Sequence, residues 1–213
     1  MKHAMPIALA VLAAGLMPSV AAEPAGAARS ATAITCNWPV GPNDSARTLL
    51  RHFGPQARMA DIGVGEGETQ RGVELFFNDR RRRMAVLFQD PERRHPEKVY
   101  TISDRAPWTV AGIRMGDSLE SVRQRNGRAF TLQMFGADYA GYLHSFEGGA
   151  LETVMGHCQP WIVFDDNSEE MLPEGLMGDG ETSSDHPGMG KARATVGTLG
   201  VRFAASPETG RGN

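Results

Sequence analysis

A helix-and-glycine pattern that occurs twice is the feature that most restricts how this chain can fold. The second copy, DSLESVRQRNG, begins at Asp117, and the first, DSARTLLRHFG, begins at Asp44, so the two align without a gap at a separation of 73 residues. Each pattern predicts a short helix with an apolar stripe, ended by Gly54 or Gly127, because glycine takes the left-handed conformation after a helix without a steric penalty. We expect Asp117 to cap the second helix and Glu120 to complete a capping box. Similarity at a fixed separation predicts a duplicated folding unit.

Short apolar runs follow both helices and predict strands. The runs after the first helix are Met59 to Val64, GVELFF and MAVLFQD, and those after the second are FTLQMF, GYLHSF, ALETVM and WIVFDD. The breaks between them are rich in Gly, Asn and Asp, which is typical of hairpin turns. The predicted fold class is therefore α+β, with two repeats of a short helix followed by an antiparallel meander and with the helices packed on one sheet face.

The chain divides into seven predicted segments. They are a signal peptide (1–22), a flexible leader (23–33), a first helix-plus-sheet unit (34–103), a second unit (104–166), an acidic glycine-rich loop (167–193), a returning strand (194–204) and a disordered tail (205–213). The loop is assigned on its composition, because it lacks any periodic apolar pattern.

The first 22 residues have the features of a secretion signal. Lys2 and His3 precede an apolar run, and Val20-Ala21-Ala22 supplies small residues for cleavage at or near Ala22. We expect an exported, soluble protein, periplasmic or secreted, with no membrane span after cleavage. The remaining chain has 21 basic and 25 acidic side chains, a net charge of −4. That balance gives no electrostatic reason to expect nucleic acid as a partner.

Cys36 and Cys158 are the two cysteines of the chain. An even pair far apart in an exported protein predicts a disulfide. The alternative, a redox pair, lacks the Cys-x-x-Cys spacing of such sites.

The helix opening also carries a family resemblance. Across residues 36–166 the pattern is similar to the small outer-membrane-assembly lipoprotein domain of the SmpA/OmlA type, and two such units in tandem resemble the secreted β-lactamase-inhibitor proteins. The resemblance is carried by Gly112, Ile113, Gly116, Ser118, Val122 and Gly127, with a weaker echo at Ser45, Leu49 and Gly54. It implies a fold and an exported binding class. The chain has no cysteine at the position where such lipoproteins are lipidated, so a role in an assembly machine is not implied.

A second resemblance concerns the residues that open the two helices. Gly116-Asp117-Ser118-Leu119 spells the first block of the GDSL esterase/lipase family, and Gly41-Pro42-Asn43-Asp44 spells its Gly-x-Asn-Asp block. The two blocks occur in the reverse of that family's order, and the family's Asp-x-x-His is missing because Ser183 stands three residues before His186. A serine without a nearby base is a poor nucleophile. We therefore interpret Ser118 as part of a helix cap and keep a serine esterase using Ser118 as the alternative.

Two groups of residues are candidates for a contact surface. Arg80, Arg81, Arg82 and Arg83 form a basic hairpin tip, whereas residues 165–185 carry eight acidic side chains and no basic ones. The tip either protects a strand edge as a solvated turn or meets an anionic ligand, an envelope protein or the chain's own acidic loop. Tyr139 and Tyr142 have glycine neighbours, which indicates an open loop where a ring can face a ligand, although packing in the core is the alternative.

Metal and cofactor chemistry are not predicted. The metal-ligating side chains are spaced irregularly, without a helical i, i+4 pair. The two sets considered are His144, Glu147, His157 and Cys158, and Asp179, Asp185 and His186. We expect no metal and no cofactor.

The sequence therefore predicts an exported, non-catalytic binding or structural protein of the periplasm or cell envelope. A GDSL-like serine esterase and a secreted inhibitor of an envelope enzyme are the alternatives.

Overall fold

A computed structural model describes Met1 and residues 32–205. The predicted signal peptide, the leader up to residue 31 and the tail from residue 206 lie outside these residues. Within the described residues the helices are α1 (Ala46–Phe53), α2 (Leu119–Asn126), α3 (Ala150–Thr153) and α4 (Met189–Ala192), and a 3-10 turn (Gly54–Gln56) follows α1. The twelve strands are β1 (Ala33–Ile34), β2 (Ala57–Gly65), β3 (Glu68–Leu75), β4 (Met84–Phe88), β5 (Pro96–Thr101), β6 (Thr109–Val110), β7 (Ile113–Arg114), β8 (Thr131–Gln133), β9 (Leu143–Ser145), β10 (Cys158–Asp165), β11 (Glu181–Ser183) and β12 (Thr195–Phe203).

A six-stranded antiparallel sheet with the order β10-β12-β5-β4-β3-β2 forms the centre of the molecule. Strands β2 to β4 form the meander predicted after the first helix, and β5 continues it. Strand β10 from the second predicted unit and the returning strand β12 extend the same sheet. The α+β class is therefore confirmed, and the largest sheet contains strands from both predicted units.

Two three-stranded sheets complete the β structure. One has the order β1-β6-β7, with β1 parallel to β6, and the other has the order β11-β8-β9. The strands that follow α2 therefore do not stay together, because β8 and β9 pair with β11 whereas β10 joins the central sheet. The second predicted meander is not a single sheet.

The predicted strand ALETVM is wrong, since Ala150–Thr153 is helix α3. The backbone N–H of Leu151 donates to the side-chain Oδ1 of Asn126 at 3.2 Å, and Leu151 is buried in the main core. Ala, Leu and Glu are strong helix formers, and the tertiary contact with the end of α2 fixes the position of this helical turn.

The segment 167–193 was predicted as a loop, but it contains β11 and α4. It packs on the second predicted unit, where the N–H of Phe135 donates to the carbonyl of Leu176 and the N–H of Phe130 donates to Ser184 Oγ. Leu172 and Leu176 are buried in the main core. Contacts with residues distant in the sequence order this segment. Such contacts do not require a periodic apolar pattern within the segment itself.

Helices α1 and α2 open in the same way. Ser45 and Ser118 are their N-caps, and each side chain accepts a backbone N–H three residues later. The preceding acidic side chains, Asp44 and Asp117, instead accept the backbone N–H three residues before them. The prediction that Asp117 caps the helix is therefore wrong by one residue. Glu120 makes no capping box and forms an ion pair with Arg123 at 2.5 Å.

The disulfide between Cys36 and Cys158 is confirmed. It joins the segment before α1 to the first residue of β10. Among the residues that the structure describes, no helix is long and apolar enough to cross a membrane.

The central sheet is buried on both faces by two separate clusters. Val86 of β4 packs with Leu49 and Phe53 of α1 in the main core. Leu87 points to the opposite side, because successive residues of a strand alternate between faces. There it packs in a smaller cluster with Tyr100 and other side chains, and that cluster contains no residue of the four helices. The face opposite α1 is therefore the face that positions the candidate site.

Candidate binding surface

Four aromatic side chains form a continuous row on the sheet face opposite α1. Tyr139 meets Tyr142 edge to face with ring centroids 5.6 Å apart, and Tyr142 meets Trp161 in the same way at 5.3 Å. The ring centroids of Trp161 and Tyr100 are 4.8 Å apart. We call these four residues the aromatic cluster. The predicted pair Tyr139 and Tyr142 is thus the outer half of a larger group.

A glycine between two strands allows the inner rings to meet. Gly200 of β12 is the cross-strand partner of both Trp161 and Tyr100, and cross-strand partners lie on the same face of a sheet. A Cβ atom at Gly200 would lie 2.1 Å from the carbonyl oxygen of Val99 and 2.7 Å from Tyr100 Cβ. Only glycine therefore fits between the two aromatic side chains in this arrangement.

The loop that carries Tyr139 contacts both edges of the central sheet. Tyr142 forms a backbone bridge with Val163 of β10, at one edge. Tyr139 lies against Gly65 of β2, at the other edge, where an added Cβ atom would be 2.8 Å from the tyrosine ring. Tyr139 has a left-handed φ of 62° and is 43% exposed. The sheet therefore curls around the cluster, and Tyr139 forms its solvent-facing end.

Trp161 carries the unusual polar group of this surface. It is only 4% exposed, and its indole N–H is the one buried side-chain donor without a hydrogen-bond acceptor in the part of the chain that the structure describes. The ammonium group of Lys98 lies 5.2 Å from the centroid of the same indole ring. Leaving a buried donor unpaired costs about 1–3 kcal/mol, and such groups in folded proteins require a specific explanation.

Burial raises the pKa of two tyrosines of the cluster, Tyr100 and Tyr142. Burial, followed by repulsion from the nearby Tyr142 and Glu97, raises the pKa of Tyr100 to about 12. Burial likewise raises the pKa of Tyr142, with added repulsion from Tyr139 and Glu97 and an opposing effect of Arg202. Both hydroxyl groups are therefore neutral hydrogen-bond donors throughout the ordinary pH range.

We expect Tyr100 to ionise with a midpoint near pH 12, measured as the difference in absorbance at 295 nm between the wild type and Tyr100→Phe. Because the folded state holds this proton more tightly than the unfolded chain, with an ordinary pKa of about 10, its contribution to stability is complete below pH 10. That contribution is lost as the pH rises from about 10 to 12. A Tyr100 midpoint near 10 in the folded protein would contradict the burial of its hydroxyl group.

The four arginines of the basic tip have different roles. Arg80 and Arg81 are exposed in the turn between β3 and β4. The guanidinium of Arg82 lies 4.4 Å from the ring centroid of Phe76, and that of Arg83 pairs with the buried carboxylate of Glu74. Among the described residues, no ion pair joins this tip to residues 165–185. Two of the four side chains therefore stabilise the fold, and two remain free for a partner.

Ser118 lines a cavity of about 510 Å³ together with Asp185 and His186. Its hydroxyl accepts the N–H of Ser121 at 3.2 Å, as expected of a helix cap. Nδ1 of His186 accepts the N–H of Gly188 at 3.1 Å, so a neutral imidazole carries its proton on Nε2 and cannot accept a proton there. No hydrogen bond joins Ser118 to His186 among the described residues. Arg123 and Arg193 of the same cavity are paired with Glu120 and Glu169.

Several of the side chains considered for metal binding have other partners. His144 contacts Gln133 through Nε2 at 3.1 Å, Glu147 accepts a hydrogen bond from Thr131, and Cys158 is in the disulfide. Within the described residues, no group of three or more His, Cys, Asp or Glu side chains is placed to hold a metal ion.

Comparisons of the chain with protein-family models, with curated proteins and with solved structures returned no match.

The inner half of the aromatic cluster was missed in the sequence. Trp161 was predicted only as part of the WIVFDD strand, and Lys98 and Tyr100 were not among the candidate residues. The sequence of β10 could have revealed Trp161, because all residues from 160 to 164 are apolar, at odd and even positions alike. Such a run is typical of a strand covered on both faces, and it places Trp161 and Phe164 on opposite sides of the sheet.

Proposed function

We propose that this chain is an exported, non-catalytic binding protein of the periplasm or cell envelope and that its partner docks on the aromatic cluster. The observation that carries the proposal is the buried indole N–H of Trp161, which has no acceptor among the described residues, and the row of rings that leads from Trp161 through Tyr142 to the exposed Tyr139. Aromatic side chains with a polar group are enriched where proteins bind partners. The disulfide between Cys36 and Cys158 fits an oxidising compartment.

The exposed arginines of the turn between β3 and β4 indicate which charge the partner carries. Arg80 and Arg81 have no ion-pair partner among the described residues, although the chain as a whole is acidic. A partner with an anionic patch beside an apolar one is therefore favoured, because complementary charges increase the rate and specificity of association.

We also propose that the two halves derive from one duplicated unit, as in the SmpA/OmlA-like and β-lactamase-inhibitor-like proteins that the sequence resembles. Support comes from the local hydrogen bonds: Asp44 accepts from Gly41 and Asp117 from Arg114, and both pairs precede a serine-capped helix of eight residues. The strands that follow pair differently, which is compatible with divergence after duplication.

Site-specific photocrosslinking tests the binding surface. With p-benzoylphenylalanine in place of Tyr139, we expect a discrete crosslinked species in envelope fractions of the source organism. The matched control is Val154, which is 53% exposed and follows α3 on the helix-covered side. The proposal fails if position 139 gives no adduct, or gives the same adducts as position 154. An enzyme recovered at position 139 would identify the chain as an inhibitor.

The serine esterase is the second candidate, because Ser118 and His186 line one cavity. If Ser118 acts only as a helix cap, Ser118→Ala lowers the free energy of unfolding by about 0.5–2 kcal/mol and leaves any hydrolysis of a p-nitrophenyl ester unchanged. Thermal unfolding and ester hydrolysis are measured on the same preparations. Hydrolysis that is abolished by Ser118→Ala at an unchanged melting temperature would replace the binding proposal with the esterase. The Ser45→Ala variant, at the equivalent cap of α1, is the matched control.

A further inference from the structure

A second cavity lies away from the aromatic cluster, between the segment 37–39 and helix α1. Its volume is about 470 Å³, within the range of small-molecule sites. The lining residues are Asn37, Trp38, Pro39, Asp44, Thr48, Leu49, Arg51 and His52. Trp38 is 39% exposed, whereas Trp108 and Trp161, the other tryptophans of the chain, are buried.

The tryptophan wall of this cavity is held in place before any ligand arrives. Thr35 and Trp38 exchange backbone hydrogen bonds of 2.8 and 3.4 Å, and the disulfide anchors Cys36 between them. The indole ring also packs against Phe53 of α1, with centroids 5.9 Å apart. A rigid aromatic wall loses little conformational freedom on binding, which favours affinity.

The lining around Trp38 also offers polar side chains, both from the segment 37–39 and from α1. Among the described residues, the side chains of Asn37, Arg51 and His52 make no hydrogen bond or ion pair within the chain. Asp44 differs, because its two carboxylate oxygens accept hydrogen bonds from the N–H of Gly41 and the hydroxyl of Thr48. The free groups include an amide, a guanidinium and an imidazole, which together supply donors and acceptors in planar arrangements.

We propose that this cavity binds a saccharide, with one pyranose ring stacked on Trp38. A pyranose has an apolar C–H face, which suits the electron-rich face of an indole, and a rim of hydroxyl groups that both donate and accept hydrogen bonds. Asn37, Arg51 and His52 match that rim. A phosphate ligand suits the cavity less well, because the carboxylate of Asp44 is part of the lining. The site goes beyond the proposed partner surface, since it shares no residue with the aromatic cluster.

Tryptophan fluorescence gives a direct test, because Trp38 is the tryptophan most accessible to a quencher. The probes are cellotriose, triacetylchitotriose and trigalacturonic acid, each titrated into the full-length exported protein. We expect one of them to reduce acrylamide quenching in a saturable way. Calorimetry of the same trisaccharide with Trp38→Ala is expected to show binding weakened by at least about tenfold.

Two arginine variants on α1 distinguish the loss of a contact in the cavity from a general loss of positive charge. Arg51 lines the cavity and Arg47 does not, although both are exposed arginines of the same helix. Arg51→Ala is expected to weaken the trisaccharide by about tenfold and Arg47→Ala to leave its affinity unchanged. The saccharide site is overturned if none of the three probes binds, if affinity is unchanged in Trp38→Ala, or if the two arginine variants behave alike.

Discussion

Replacing Cys36 and Cys158 together by alanine is expected to lower the free energy of unfolding by roughly 5 kcal/mol. The disulfide spans a sequence separation of 122 residues, and closing a loop of that length removes much of the conformational freedom of the unfolded chain. For a protein of this size, such a loss corresponds to a melting temperature lower by roughly 10–20 °C, measured by circular dichroism under non-oxidising and non-reducing conditions. Both cysteines are buried in the main core, so alanine leaves only a small space behind.

Reduced wild type is the control for this prediction. Treatment with a reductant should lower its melting temperature to nearly that of the double variant, because both then lack the same bond. The disulfide also anchors the segment of Trp38, so we expect acrylamide quenching to rise in the double variant. A melting temperature within about 3 °C of oxidised wild type would contradict a stabilising role.

Local features of this fold could be predicted from the sequence with little error. Helix α2 begins one residue after Ser118 and ends at Asn126, before Gly127, as the cap and stop signals indicate. Such signals act through hydrogen bonds within a few residues, as between Ser118 and Ser121. The error at Asp117 shows the limit: an Asp-Ser pair offers two side chains for one cap, and the choice depends on the preceding turn, where Asp117 accepts the N–H of Arg114.

Pairing between distant strands could not be predicted in the same way. The WIVFDD run is a strand in both the prediction and the structure, yet β10 pairs with β12 at the edge of the first unit's sheet and not with β9. The choice depends on which apolar face each strand must cover. Phe164 packs in the main core and Trp161 in the smaller cluster, so β10 needs contacts on both sides. A place in the central sheet provides those contacts, because apolar side chains cover both faces of that sheet.

The candidate site was predicted in part for the same reason. Tyr139 and Tyr142 could be selected because neighbouring glycines indicate an open loop. The contact of Trp161 with Tyr100 depends on Gly200, which lies 39 positions further along the chain from Trp161 and becomes its neighbour only through the register of β10 and β12. A local pattern contains no information about that register, and therefore the inner half of the cluster appears only in three dimensions.

The loop of the aromatic cluster depends most strongly on Gly141. Its φ is +71°, and a Cβ atom there would lie 1.9 Å from the carbonyl oxygen of Phe164. Alanine in the left-handed conformation costs about 1–2 kcal/mol, and relieving the overlap by moving the backbone costs about 1–3 kcal/mol more. We expect Gly141→Ala to lower the free energy of unfolding by roughly 2–5 kcal/mol, measured by urea unfolding, and to weaken the near-ultraviolet circular dichroism of the cluster.

Gly67, in the turn between β2 and β3, is the matched control. Its φ of +74° is nearly the same, but a Cβ atom there would meet nothing within 4 Å. Gly67→Ala therefore carries only the conformational cost, about 1–2 kcal/mol, and should leave the near-ultraviolet spectrum unchanged. The difference between the free energies of unfolding of the two variants measures how tightly the loop packs on β10. If both lose the same stability, Gly141 needs only its backbone conformation, and its close approach to the backbone of Phe164 is wrong.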